Sequence, residues 1–195
     1  FDVSLRNDTG KAQKGTLVFN FPGPAASDID PLSEFIRKPL SMKNMLGADV
    51  TDGKHGYVVG VLNDTSAQIG GGLGRNSAAW ASISKGLPNP TATESGTSIR
   101  VDFNLKARKS TVINFVIAWH APNWNGCNDF KYTSMYATRF KNAREVVEQM
   151  APRREAILNG VLAWLQVVYG VNNLPTWLRV TVVIYLALIP EVTYW

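Results

Sequence analysis

Residues 115–126 read FVIAWHAPNWNG. Within six positions the chain delivers Trp119, His120, Pro122, Asn123 and Trp124. An indole stacks on a sugar ring or closes a core with equal facility. An imidazole exchanges a proton near neutral pH. Proline followed by asparagine makes a stiff turn. His120 and Trp124 are therefore the candidate substrate-binding residues. Trp119, Pro122 and Asn123 are candidates for a structural corner.

Other reactive residue types are thinly spread. Cys127 is the one cysteine, and His55 and His120 are the two histidines. A zinc site would need several added carboxylates, so no metal and no cofactor is expected. Gly70, Gly71, Gly72 and Gly74 suggest a phosphate cradle, but neither a G-x-G-x-x-G spacing nor a terminal Gly-Lys-Ser/Thr is present. Glu145, Glu148 and Glu155 alternate with Arg144, Arg153 and Arg154, which reads as a solvated helical face. Asp28, Asp30 and Asp129 fall in loops, and Glu191 follows Pro190. No two carboxylates stand where their environments would push their pKa values apart, so no complete acid/base centre is expected.

The elements that position these residues fall into two halves. Up to about residue 124, apolar and polar residues alternate with a period of two: Phe1, Val3 and Leu5; Leu17, Phe19 and Phe21; Ile99, Val101, Phe103 and Leu105; Ile113, Phe115, Ile117 and Trp119. That period predicts antiparallel sheet with one solvated face, bearing Arg100, Asp102 and Asn104. The stretch from Leu105 to Thr111 reads as a polar hairpin joining two strands. By parity Trp119 is expected in the core, and His120 on the polar surface.

After residue 133 the period becomes helical. Phe140, Ala143, Val147 and Met150 form one stripe, and Ile157, Val161, Leu162, Leu165 and Val168 continue it. Pro152 predicts a new helix or a kink. Gly170 and Pro175 predict a stop and a restart. The helix beginning at Pro175 is apolar nearly all round, which predicts burial on several sides. The fold class is thus β plus α: an antiparallel β-sandwich over 1–133, then helices over 134–195.

Composition narrows the function. With 45% apolar residues the chain can build a core. Its 20 basic and 15 acidic residues give a net charge of +5, but the basic runs are short and scattered, against nucleic-acid binding. The apolar stretch 177–190 is shorter than the roughly 20 residues of a membrane span and contains Arg179. No transmembrane span is expected, and peripheral membrane association stays open. A single cysteine suits a reducing compartment, so a cytoplasmic location is expected. The chain opens on FDVSLRN and closes on EVTYW, as an internal piece of a longer protein would.

Three runs carry a resemblance: LKARKSTVINFVIAWHAPNW; then Tyr136, Arg139 and Phe140; then Leu174, Pro175, Trp177, Leu186, Leu188 and Trp195. In this order they resemble glycoside hydrolase family 116, the bile-acid β-glucosidase and non-lysosomal glucosylceramidase group. The chain departs from the family pattern at Ile184 and Ala187. The resemblance implies a sandwich followed by the first helices of an (α/α)6 barrel, in a retaining β-glycosidase acting on a glycoside or glycolipid. Such enzymes use two carboxylates about 5 Å apart. The family's pair lies later in the chain than Trp195, so this chain alone is expected to be inactive. Tyr136, Arg139, Phe140, Trp177 and Trp195 then become structural or domain-interface residues. The alternative is a non-catalytic carbohydrate-binding or interaction module with Trp80 and Trp124 as stacking platforms.

Overall fold

The computed structural model describes residues 1–24, 32–64, 66–125, 130–170, 175–181 and 183. They fall into two compact units. The first is Phe1–His120 with Asn142–Val147; the second is Ala121–Lys141 with Glu148–Trp195.

The first unit is built on two antiparallel sheets. β1 (Asp2–Arg6), β3 (Ile36–Met42), β4 (Met45–Thr51), β5 (Gly56–Leu62) and β8 (Ser110–His120) form one, in the order β1-β8-β5-β4-β3. β2 (Gln13–Phe21), β6 (Gln68–Gly71) and β7 (Thr97–Leu105) form the other, in the order β2-β7-β6. One core joins them. Val50, Val59, Val61, Ile113 and Phe115 of the first sheet pack with Ile99 and Val101 of the second. Aromatic pairs bridge the sheets as well: Phe19 and Phe115 at 5.5 Å, Phe21 and Tyr57 at 4.9 Å, between ring centroids. Burying one such valine or isoleucine contributes roughly 1.5–3 kcal/mol, so this shared interior is the main source of stability.

The five-stranded sheet is closed on both faces at its centre. Tyr57, Val59 and Val61 face the shared core, while Val58 points the other way and is equally buried. Leu40 and Met45, also outside that core cluster, are buried too. Helix α1 (Ser77–Ala81), and Ala143 and Val147, buried residues of helix α2 (Ala143–Met150), belong to this same unit. A strand covered on both sides has no polar alternation to show, which is why GYVVGVL escapes a period-two reading. Gly47 and Gly60 lie opposite each other on this sheet. A Cβ on Gly47 would stand 2.5 Å from the Val59 carbonyl oxygen, so no other residue fits without moving backbone.

Four expectations need correction. The link 106–109 is not a hairpin: β7 and β8 belong to different sheets, so it carries the chain across the sandwich. Arg100 does lie on the outer face of its sheet, but it is buried rather than solvated. Its guanidinium donates to Asp102 at 2.6 and 3.1 Å and to Gln68 at 3.3 Å, and the Thr16 hydroxyl donates to Asp102 at 2.6 Å. Trp119 sits opposite Tyr57 as parity requires, yet it is 62% exposed. The core cluster takes Ile113 and Phe115 from β8 and does not extend to Trp119. His120 is 9% exposed, because the face it shares with Val58 is covered.

Two side chains hold the links. Asn7, itself buried, donates to the carbonyls of Lys11, Leu105 and Lys106, and its oxygen accepts from the Thr9 amide and hydroxyl. Arg37 donates to the carbonyls of Thr91, Glu94 and Gly96 and to the Thr97 hydroxyl, anchoring the long 86–96 loop. Tyr57 donates to the Ser95 carbonyl beside it, and burial pushes its hydroxyl pKa up, keeping the proton in place.

The contrast between two apolar residues tests this packing. Ile99→Ala is expected to cost roughly 2–5 kcal/mol. Trp119→Ala should change stability by only about 0.5 kcal/mol, as at an exposed site. Guanidinium-chloride unfolding of both variants measures it; a Trp119 loss equal to that of Ile99 would return the indole to the core.

Candidate functional site

The strand-end corner is the region that the sequence marks as functional. β8 stops at His120, and the chain turns through Ala121 and Pro122 into a small hairpin, β9 (Asn123–Asn125) and β10 (Lys131–Thr133). Asn123 pairs with Thr133, and Trp124 with Tyr132. The Ser134 amide donates to the Pro122 carbonyl at 2.7 Å. A 3₁₀ turn, Met135–Thr138, follows.

Tyr136 closes this corner. Its hydroxyl accepts from the Ala121 amide at 2.7 Å. Its carbonyl accepts from the amides of Arg139 and Phe140 at 2.9 and 3.0 Å. Pro122, Asn123, Tyr136, Arg139 and Phe140 are thus brought into one short stretch of folded chain, and Phe140 is buried. The hydroxyl is the detail that a motif reading misses: it reaches 15 residues back along the chain.

Helices follow. Asn142 caps α2, its side-chain oxygen accepting from the Glu145 amide at 2.9 Å. Pro152 sits in a 3₁₀ turn, Ala151–Arg153, that divides α2 from α3 (Arg154–Gly170). This is the break that its missing N–H predicts. Residues 176–181 are helical after Pro175, and Trp177 is 68% exposed. The stripe expected along α3 is not buried: Ile157, Val161 and Leu162 are each more than 40% exposed.

The candidate residues take different places. His120 and Trp119 end β8 in the first unit, one buried and one exposed. Trp124 is placed by its backbone pairing, and its side chain lies outside the described residues, as do Trp195, Leu174, Cys127, Asp129 and Glu191. The stacking role considered for Trp124 therefore has no geometry here. Trp80 is 41% exposed, with its indole N–H donating to the Gly74 carbonyl at 3.0 Å.

The carboxylates with shifted pKa values are structural. Burial pushes Asp52 up, but the amides of His55 and Lys54 and the His55 imidazole, 3.1 Å away, hold it below the usual aspartate range. Asp102 is held low first by the Arg100 guanidinium and then by Thr16. Both are ionised partners of fixed donors, the opposite of a poised general acid. Glu155 pairs with Arg154 at 3.2 Å. Among the described residues no three His, Cys, Asp or Glu side chains group as metal ligands, and no helix is long and apolar enough to cross a membrane.

No protein-family model matches this chain, and no curated protein matches it.

Two measurements follow from this geometry. Tyr136→Phe removes the acceptor of the Ala121 amide, and exchange at that amide should quicken about threefold to tenfold, the worth of one such bond. Asp52 has a depressed folded pKa, so its stabilisation is present above the unfolded value of about 3.9 and is lost as pH falls through the folded value. The wild type should therefore exceed Asp52→Asn in stability by a constant margin near neutrality. That margin should shrink below about pH 4, read by denaturant midpoints across the range. A margin that widens in acid would reverse the assignment.

Proposed function

We propose that this chain is the sandwich and leading helices of a retaining β-glycosidase resembling glycoside hydrolase family 116. In this reading the parent enzyme hydrolyses a β-linked glucoside or glycolipid in the cytoplasm. Its nucleophile and acid/base carboxylates lie in sequence following Trp195, on loops of an (α/α)6 barrel that α3 begins.

The observation that carries the reading is the corner at the end of β8. A sandwich strand ends in Trp119-His120-Ala121-Pro122-Asn123, and the chain then passes into helices through a turn closed by Tyr136. Of these, Trp119, Pro122 and Asn123, followed by Tyr136, Arg139 and Phe140, are the residues on which this part of the resemblance rests. The apolar character of α3 on several sides supports it too, since a helix of a barrel wall is enclosed by neighbours. The contacts of Asp52 with His55, Asp102 with Arg100 and Glu155 with Arg154 agree with a chain whose carboxylates serve structure. In this reading His120, buried at the strand end, and Trp119, exposed beside it, serve the structure of the sandwich and not substrate binding.

A 4-nitrophenyl β-glucoside assay tests the proposal. The 195-residue chain should release no nitrophenol, and the product of the same gene read past Trp195 should release it with retention of configuration. Turnover by the short chain would overturn the placement of the carboxylates and direct attention to Glu145, Glu148 and Glu155. Inactivity of both, with binding of cello-oligosaccharides by the short chain, would favour the carbohydrate-binding module.

A further inference from the structure

The flank of the sandwich has a window with an unusual frame. β6 pairs with β7 only over Thr97 to Arg100, so β7 from Val101 to Leu105 has no strand on that side. β5 pairs with β8 only from Asn114 onward, so β8 from Ser110 to Ile113 is open on its β5 side. Two links run between the sheets at its ends: the one from β5 to β6, of which residues 63–64 and 66–67 are described, and residues 106–109 from β7 to β8. The hollow inside this frame has a volume of about 710 Å³, within the size of a ligand site. Val101, Phe103, Leu105 and Ile113 contribute apolar lining.

One rim is cationic and rigid. Lys106 and Lys109 line the hollow, and Arg108 lies between them; all three are exposed. None of them has an ion-pair partner among the described residues. Asn7 holds the Lys106 carbonyl, and its amide donates to the Lys109 carbonyl at 2.9 Å, while the Arg108 amide donates to Thr9 at 3.3 Å. The acidic groups on the frame are otherwise engaged: Asp102 with Arg100 and Thr16, and Asp64 with the Ser66 amide and hydroxyl.

We propose that this window is a docking site for an extended peptide segment with acidic residues toward its N-terminal end. Paired strands lie about 4.8 Å apart in the plane of a sheet, so one added strand extends the β2-β7-β6 sheet along the open edge of β7. Continuing the line of β6 makes it antiparallel to β7. The five open residues of β7 offer a ladder roughly 16 Å long. Main-chain bonds to that edge supply affinity, and alternate side chains enter the apolar hollow. In this direction the incoming N-terminal end lies beside Leu105 and the 106–109 link, where Lys106, Arg108 and Lys109 face carboxylates. The inference is independent of the glycosidase reading.

The probe is the labelled hexapeptide EEVTVT, blocked at both ends, titrated into the full 195-residue chain by fluorescence anisotropy and by amide chemical shifts. Binding should perturb the amides of residues 101–105 and 110–113. The order-reversed peptide VTVTEE and a backbone N-methylated EEVTVT should each bind at least about tenfold more weakly, since one misplaces the charge and the other lacks the donors. Lys106→Glu with Lys109→Glu should weaken EEVTVT by a similar factor, while its circular dichroism and melting temperature match the wild type. Lys106→Gln with Lys109→Gln serves if the charge reversal unfolds the chain. The proposal is overturned by no binding at about 1 mM peptide, an affinity too weak to matter. Equal binding of the N-methylated peptide, shifts confined to other residues, or displacement of the peptide by cellobiose would overturn it equally.

Discussion

The first unit depends on burying the five-stranded sheet from both sides. Val59 and Val61 close against β2 and β7, while Val58 and Met45 are covered on the reverse. A strand in this position has little room for charged side chains near its middle, and within β4 and β5 the one charged residue is Asp49, opposite Val58. That constraint accounts for GYVVGVL, for the paired glycines 47 and 60, and for the burial of His120. Arg37 and Lys38 stand on the edge strand β3, and Lys106 and Lys109 in the link between β7 and β8. On edge strand β3, Pro39 with Lys38 makes a poor template for further pairing.

The crossing between β7 and β8 follows from the same arrangement. Both are inner strands of their sheets, one in each, so four residues must carry the chain through the full thickness of the sandwich. Arg108 adopts a positive φ of 57° to make the turn. Asn7 offsets the loss of regular pairing there by satisfying carbonyls at the end of β7 and in the link. The early end of β5 and late start of β6 leave the flank beside this crossing open, and the basic link forms its rim. A structural necessity and a recognition surface thus share the same four residues.

At the other end of β8 the chain leaves the sandwich through a corner whose bonds are local. Tyr136 ties Ala121 to the 3₁₀ turn, and Asn142 starts α2. This economy suits a connector. The residues with the most suggestive chemistry, Trp119 and His120, occupy its approach, and among the described residues no three His, Cys, Asp or Glu side chains group as metal ligands. The glycosidase reading therefore assigns the corner to architecture and leaves bond cleavage to residues elsewhere in the parent protein.

Much of this was legible from residue order alone. Period two marked β1, β2, β7 and β8 because each has one inner and one outer row there; the helical period and Pro152 marked α2, α3 and the break between them. β4 and β5 were not legible as alternating strands, since burial on both faces erases the alternation. Parity located Trp119 on the inner face, opposite Tyr57, but parity reports direction and not coverage. Local sequence also could not distinguish a hairpin from a crossing at 106–109, because both use a short polar turn. What the sequence determined by itself is the facing of side chains and the boundaries of elements, which depend on neighbours a few residues away. Only the tertiary structure decided which strands share a sheet, that His120 is covered and Trp119 is not, and that two unpaired edges frame a cationic window. Those outcomes depend on residues about 40 to 100 positions apart meeting across two sheets, a distance over which no local pattern carries information.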